Sequence, residues 1–177
     1  IKNNGRIKFL IIDRARISSI IKNYLAIKIL EKKIDIKSLV VSDLPNNHKL
    51  YRIYNDLGFN EIYKSFGPKV LLSNFIIIIK SLFKLLTISN YIVNKNFHKF
   101  IYKFKVSKIL VGDIIYDRFI RNDFRFLKPS FFNINFIKIC FYTIFKVYYL
   151  ENFIKQKKIN TILINTHIYS NQNHSIF

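Results

Sequence analysis

A chain of 177 residues can bury a core without disulfides or a structural metal, and its 50% hydrophobic and 23% charged content excludes a disordered polypeptide. Thirty Lys and Arg against ten Asp and Glu give a formal charge of +20 and a pI near 10.1, an attraction for polyanions that salt will screen. Ile, Lys, Asn, Phe and Tyr are heavily used while Met and Trp are absent, the set that A/T-rich codons supply, so coding bias accounts for much of the lysine excess. With Ile1 first and no methionine, the chain is expected to be part of a longer reading frame.

Residues 6–13 (RIKFLIID) form a short Ile-rich run, the pattern of a buried strand. Residues 15–34 follow at helical spacing, with Ile17, Ile20, Ile21, Tyr24 and Leu25 on one side and Ser18, Ser19, Lys22, Asn23, Lys32 and Lys33 on the other. Residues 36–42 (IKSLVVS) read as a second strand, closed by the loop residues Asp43-Leu44-Pro45-Asn46-Asn47. Strand, helix and strand in this order predict a βαβ unit with parallel strands and a right-handed crossover.

Residues 48–57 predict a short helix ended by Gly58, and 59–63 a short third strand. Residues 70–86 are strongly apolar, with Ser73, Lys80, Lys84 and Thr87 on a narrow polar stripe. A further helix is predicted over 97–104, then a strand over 106–111 that stops at Gly112-Asp113. Lys128-Pro129 breaks the chain before a long helix over 134–156, whose thin polar face holds Asn135, Lys138, Lys146 and Lys155. Residues 159–165 (INTILIN) are the last strand, leading to Thr166-His167-Ile168-Tyr169. The two apolar helices are expected to be buried against the sheet, with a membrane interface as the alternative. Neither reads as a bilayer span: residues 70–79 are too short, and Lys138 and Lys146 would be costly near the bilayer centre. Residues 1–177 therefore read as a single α/β domain, an open, mostly parallel sheet flanked by helices.

In such a sheet, ligands bind beyond the carboxyl ends of the strands. Those ends are Asp13-Arg14, Ser42-Asp43, Gly112-Asp113 and Thr166-His167, and parallel strands would bring all four to one rim. Gly112 would let backbone approach a ligand. Asp113 would act as a general base or orient a hydroxyl, and His167 is the other candidate for proton transfer. Each has a plainer reading. Asp113 would cap a helix, Asp117 and Arg121 would form an exposed helical ion pair, Arg14 and Arg16 would be solvated, and His167 would be a hydrogen-bonded loop residue.

Cys140, the single cysteine, lies in an apolar run and reads as a buried core residue, which leaves no internal disulfide and no thiolate cluster. His48, His98 and His174 are too dispersed for a metal site. The turn Asp13-Arg14-Ala15-Arg16 has no glycine, so the dinucleotide fingerprint is missing, as are a Walker loop and a nucleophile elbow. Helix-turn-helix, zinc-finger and RNA-recognition signatures are absent as well.

Val111-Gly112-Asp113-Ile114-Ile115-Tyr116-Asp117 with Arg121 resembles a motif of bacterial surface-polysaccharide biosynthesis proteins, those of capsule or lipopolysaccharide assembly. So do Ile62-Tyr63-Lys64-Ser65-Phe66-Gly67 and the late strand that ends in Thr166-His167 with Tyr169 close behind. These proteins are similar to glycosyltransferases of the GT-B type, built from two facing Rossmann-like domains. The resemblance implies that this chain is the amino-terminal, acceptor-side Rossmann-like domain, inactive alone, with the nucleotide-sugar-binding domain outside it. It implies Asp113 or His167 as the base, and Arg118 and Arg121 steadying phosphate or the leaving diphosphate. Asp13, Arg14, Asp43, Gly112, Asp117, Thr166 and Tyr169 would then line the acceptor site. Neither metal nor cofactor is implied for this chain, and a nucleotide-sugar donor is implied for the whole protein. A carbohydrate or lipid-linked acceptor is the implied partner, and the implied place is cytoplasmic, peripheral at the inner face of the membrane. The competing reading is a non-enzymatic basic α/β module on anionic membrane or nucleic acid, with nucleic acid disfavoured. A structural domain without catalysis is a third.

Overall fold

The computed structural model describes residues 7–12, 17–42, 49–59, 61–64, 67–93, 97–122 and 133–164. Its elements are β1 (Ile7–Ile12), α1 (Ile17–Glu31), β2 (Ile36–Ser42), α2 (Lys49–Asp56), β3 (Ile62–Lys64), α3 (Pro68–Ser73), α4 (Phe75–Val93), α5 (Phe97–Lys103), β4 (Lys105–Val106), β5 (Ile109–Leu110), α6 (Gly112–Asn122), α7 (Ile134–Lys157) and β6 (Thr161–Ile164). The chain divides into two compact units. One comprises Ile1–Val70 with Phe153–Ser175, and the other comprises Leu71–Asn152.

The first unit is a four-stranded sheet in the order β3-β2-β1-β6, with every pairing parallel. Parallel sheets are covered on both faces, and the strands show it. Phe9, Ile11, Ile36 and Val40 point to one face, where Ile20 and Ile27 of α1 and Tyr54 of α2 join them in a single core cluster. Leu10, Ile12, Leu39 and Val41 point to the other face and are equally buried. The end of α7 lies on that second side. Phe153 meets the Tyr63 ring edge-on at 4.9 Å, and the Lys8 Nζ donates to the Lys157 carbonyl at 2.9 Å.

Helix α2 ends as its sequence dictates. Gly58 takes a φ of 85°, its N–H donates to the Asn55 carbonyl, and the Phe59 N–H donates to that of Tyr54. This double bond with a left-handed glycine is a Schellman cap, and the usual apolar contact across it is Tyr54 on Phe59, ring centroids 5.5 Å apart. Burying an aromatic side chain such as Tyr54 contributes about 1.5–3 kcal/mol.

In α1 the buried face differs from the expected one. Ile20, Asn23 and Ile27 are buried, whereas Ile21 and Leu25 are about half exposed. The helix is apolar round much of its circumference, so its spacing alone left the inward direction open.

The second unit is helical, with an aromatic core. Phe100 lies against Tyr91, Phe104 and Phe136, and Phe119 meets Phe136 at 5.3 Å. The strand expected over 106–111 is instead a tight antiparallel hairpin, in which Lys105 pairs with Leu110 and Val106 with Ile109. It forms a separate two-stranded sheet. Ser107, at the bend, takes a φ of 53°, and its hydroxyl donates to the Glu151 carboxylate at 2.7 Å. Lys146, expected on the polar face of α7, is fully buried. Its ammonium lies 5.5 Å from the Tyr142 ring centre and 3.5 Å from the Tyr142 hydroxyl.

Candidate functional site

The parallel sheet supplies one candidate edge. From β1 the chain passes through α1 to β2 and through α2 to β3, always moving to the same side. The last strand, β6, pairs with the opposite side of β1, so that Ile12 and Ile164 are register partners at the carboxyl end. The junction between β1 and β6 is thus a topological switch point, where the strand order reverses and a crevice opens in sheets of this kind. Asp13 and Arg14 follow β1, Asp43 follows β2, and Thr166, His167 and Tyr169 follow β6 in sequence. All six lie outside the described residues.

The hairpin changes the position of the other predicted group. Gly112 and Asp113 do not end a strand of the parallel sheet; they begin α6 in the second unit. The premise that a fourth parallel strand carries Asp113 to the same rim therefore fails. Gly112 is fully used by packing: a Cβ there would overlap the carbonyl oxygen of Phe100 in α5. Asp113 is exposed in the first turn of α6, and its carboxylate accepts from the Ile114 N–H at 2.8 Å. Negative charge there is favoured by the helix dipole.

Along α6, Asp113, Asp117 and Arg121 succeed one another at four-residue intervals and are all exposed. Arg121 Nε donates to Asp117 at 2.9 Å, the ordinary helical pair, worth a few tenths of a kcal/mol in water. Arg118 leaves this row. It is partly buried, with its guanidinium 4.7 Å from the centre of the Tyr142 ring. Arg118 and Lys146 therefore both contact Tyr142, an arrangement that combines cation–π attraction with burial of the alkyl stems. The sequence pointed to Arg118 as a site residue but not to Tyr142, and it put Lys146 on the solvent face of α7. The signal was the four-residue spacing of those two on α7.

A second polar cluster gathers around Tyr63, inside the segment 62–67. Its hydroxyl donates to Glu61 at 2.9 Å, and the Lys157 ammonium lies 4.7 Å from its ring centre. Glu61 also pairs with Lys37. The bond to Lys37 holds the Glu61 carboxyl below its ordinary range, with the Tyr63 hydroxyl assisting and partial burial opposing. Ser65 and Phe66, from the same segment, lie outside the described residues.

Cys140 is buried, and that burial pushes its thiol far up, so it is an apolar filler and not a nucleophile at neutral pH. Among the described residues, no group of three or more His, Cys, Asp or Glu is placed to hold a metal ion. No protein-family model, curated protein or solved structure matches the chain.

Proposed function

We propose that the chain is the Rossmann-like, acceptor-side domain of a glycosyltransferase-like protein in cell-surface polysaccharide assembly. It would work at the cytoplasmic face of a membrane, with the nucleotide-sugar held elsewhere in the protein. The observation that supports this reading is the sheet: four parallel strands whose order reverses between β1 and β6. The residues that follow those two strands include Asp13-Arg14 and Thr166-His167. In this proposal the His167 imidazole, with a reference pKa near neutrality, takes the proton of the acceptor hydroxyl. Arg14 meets the phosphate of a lipid-linked acceptor. Asp113 is the second candidate base.

The test compares His167→Ala and Asp113→Asn in the whole protein, with sugar transfer as the readout. Loss of a general base lowers kcat by about 10²–10⁴-fold. The expected outcome is that loss for His167→Ala and unchanged transfer for Asp113→Asn. Wild-type rates in both variants, with folding intact, would remove the proposed chemistry. The chain by itself is expected to bind a carbohydrate acceptor saturably and to bind no nucleotide-sugar.

A further inference from the structure

Helix α4 turns an apolar side to solvent. Phe75, Ile76, Ile79, Leu82, Phe83 and Leu86 are all exposed, with Phe83 at 66% and Ile76 at 69%. They recur at three- and four-residue intervals and so lie along one side of the helix. The opposite side, Ile77, Ser81, Leu85 and Ile88, is buried, and the Ser81 hydroxyl donates back to the Ile77 carbonyl at 2.7 Å. The helix therefore has two apolar faces, and the fold uses one of them. A continuous exposed patch of this kind marks a docking surface.

Charge identifies the occupant. From 71 to 112 the chain carries seven lysines and no Asp or Glu. Lys80 of α4, Lys99 and Lys103 of α5, and Lys105 and Lys108 of the hairpin are exposed. Lys84 lays its ammonium 5.1 Å from the Phe104 ring centre. A second copy of the chain would bring one strongly cationic surface against another. Crossing a bilayer is open to α4 by length and composition, but it would strip Ile77, Ser81, Leu85 and Ile88 from their packing and place Lys80 and Lys84 inside the hydrocarbon. An anionic bilayer accepts the same helix lying flat, with apolar side chains below the headgroups and lysines among the phosphates.

We propose that α4 seats the protein in the plane of an anionic lipid bilayer through Phe75, Ile76, Ile79, Leu82, Phe83 and Leu86. The inference stands apart from the sugar-transfer reading, because vesicle binding by this chain needs neither donor nor acceptor. The test is flotation of the 177-residue chain with phosphatidylcholine–phosphatidylglycerol vesicles and with phosphatidylcholine alone. The chain is expected to float with the anionic vesicles only, and less as salt rises. The double substitution Ile76→Glu with Phe83→Glu is expected to lower partitioning by about tenfold or more. Leu25→Glu, at an exposed apolar position of α1, is expected to leave it unchanged.

The chain has no tryptophan, so Phe83→Trp introduces a single indole whose emission will shift to the blue on adding anionic vesicles. That variant keeps an aromatic side chain and decides the matter if the double variant fails to fold. An unshifted indole, an absence of flotation, or flotation untouched by the double substitution would each overturn the proposal. So would a lipid-free dimer that the double substitution makes monomeric, since a second copy would then be the occupant.

Discussion

Gly112 begins α6 hard against the main-chain carbonyl of Phe100, in space that a methyl group would occupy. The same methyl would stand 2.8 Å from the carbonyl oxygen of Ile101. Backbone yields less readily than a side chain, so Gly112→Ala is expected to cost about 2–3 kcal/mol. Asp117→Ala, one helical turn further on, removes only an exposed pair and is expected to cost less than about 0.5 kcal/mol. Urea unfolding of both variants checks the contrast. Equal midpoints would mean that the start of α6 can move away from α5.

Lys158 ends α7 with a φ of 52°, the conformation that Gly58 supplies at the end of α2. The bonding is the same, with the Lys158 N–H donating to Lys155 and the Ile159 N–H to Ile154. A side chain in the left-handed region costs roughly 1–2 kcal/mol, while glycine loses about 0.5–1 kcal/mol more backbone freedom on folding. Lys158→Gly is therefore expected to stabilise the chain by about 0.5–1 kcal/mol, read as a rise in thermal midpoint. At Ser107 the matching substitution would also remove the hydroxyl bond to Glu151, so its gain is expected to be smaller.

Glu61 supplies a pH test. Its carboxyl is held below the ordinary value of 4.5 by Lys37 first and by the Tyr63 hydroxyl as well. A group whose pKa is lower in the folded state stabilises the fold above its unfolded value, and that contribution disappears as pH falls through the folded value. Glu61→Gln is thus expected to lower stability at pH 7 by less than about 1 kcal/mol, because both partners remain partly exposed. The gap between variant and parent should narrow as the pH falls below 4.5 and close once Glu61 is protonated in the folded state. A gap that persists at acid pH would mean that shape or neutral hydrogen bonding, and not charge, carries the effect.

Much of the first unit was legible in the residues. Short Ile- and Val-rich runs bounded by polar segments marked β1, β2 and β6, and Gly58 marked the end of α2 at its left-handed position. The hairpin was not legible, because Val106 to Val111 looks continuous until Ser107-Lys108 is recognised as a two-residue bend. That misreading carried Asp113 onto the wrong edge. Periodicity gave no inward direction at α4. When both sides of a helix are apolar, spacing shows that two faces exist and gives no sign of which one the fold buries. For Asp117 and Arg121 the four-residue spacing was enough to foresee the exposed ion pair that they form.

Strand β1, inside the sheet, and its edge neighbour β6 lie far apart in the sequence. Lys8 and Asn160 exchange hydrogen bonds across 152 positions of sequence. During synthesis, β1 can find β2 early, but its other edge has no mate until the closing strand emerges from the ribosome. Throughout that interval a nascent polypeptide carries an unsatisfied β-edge, open to strands of foreign chains. Such distant pairing makes for slow folding, and it ties yield in the cell to how fast translation reaches β6.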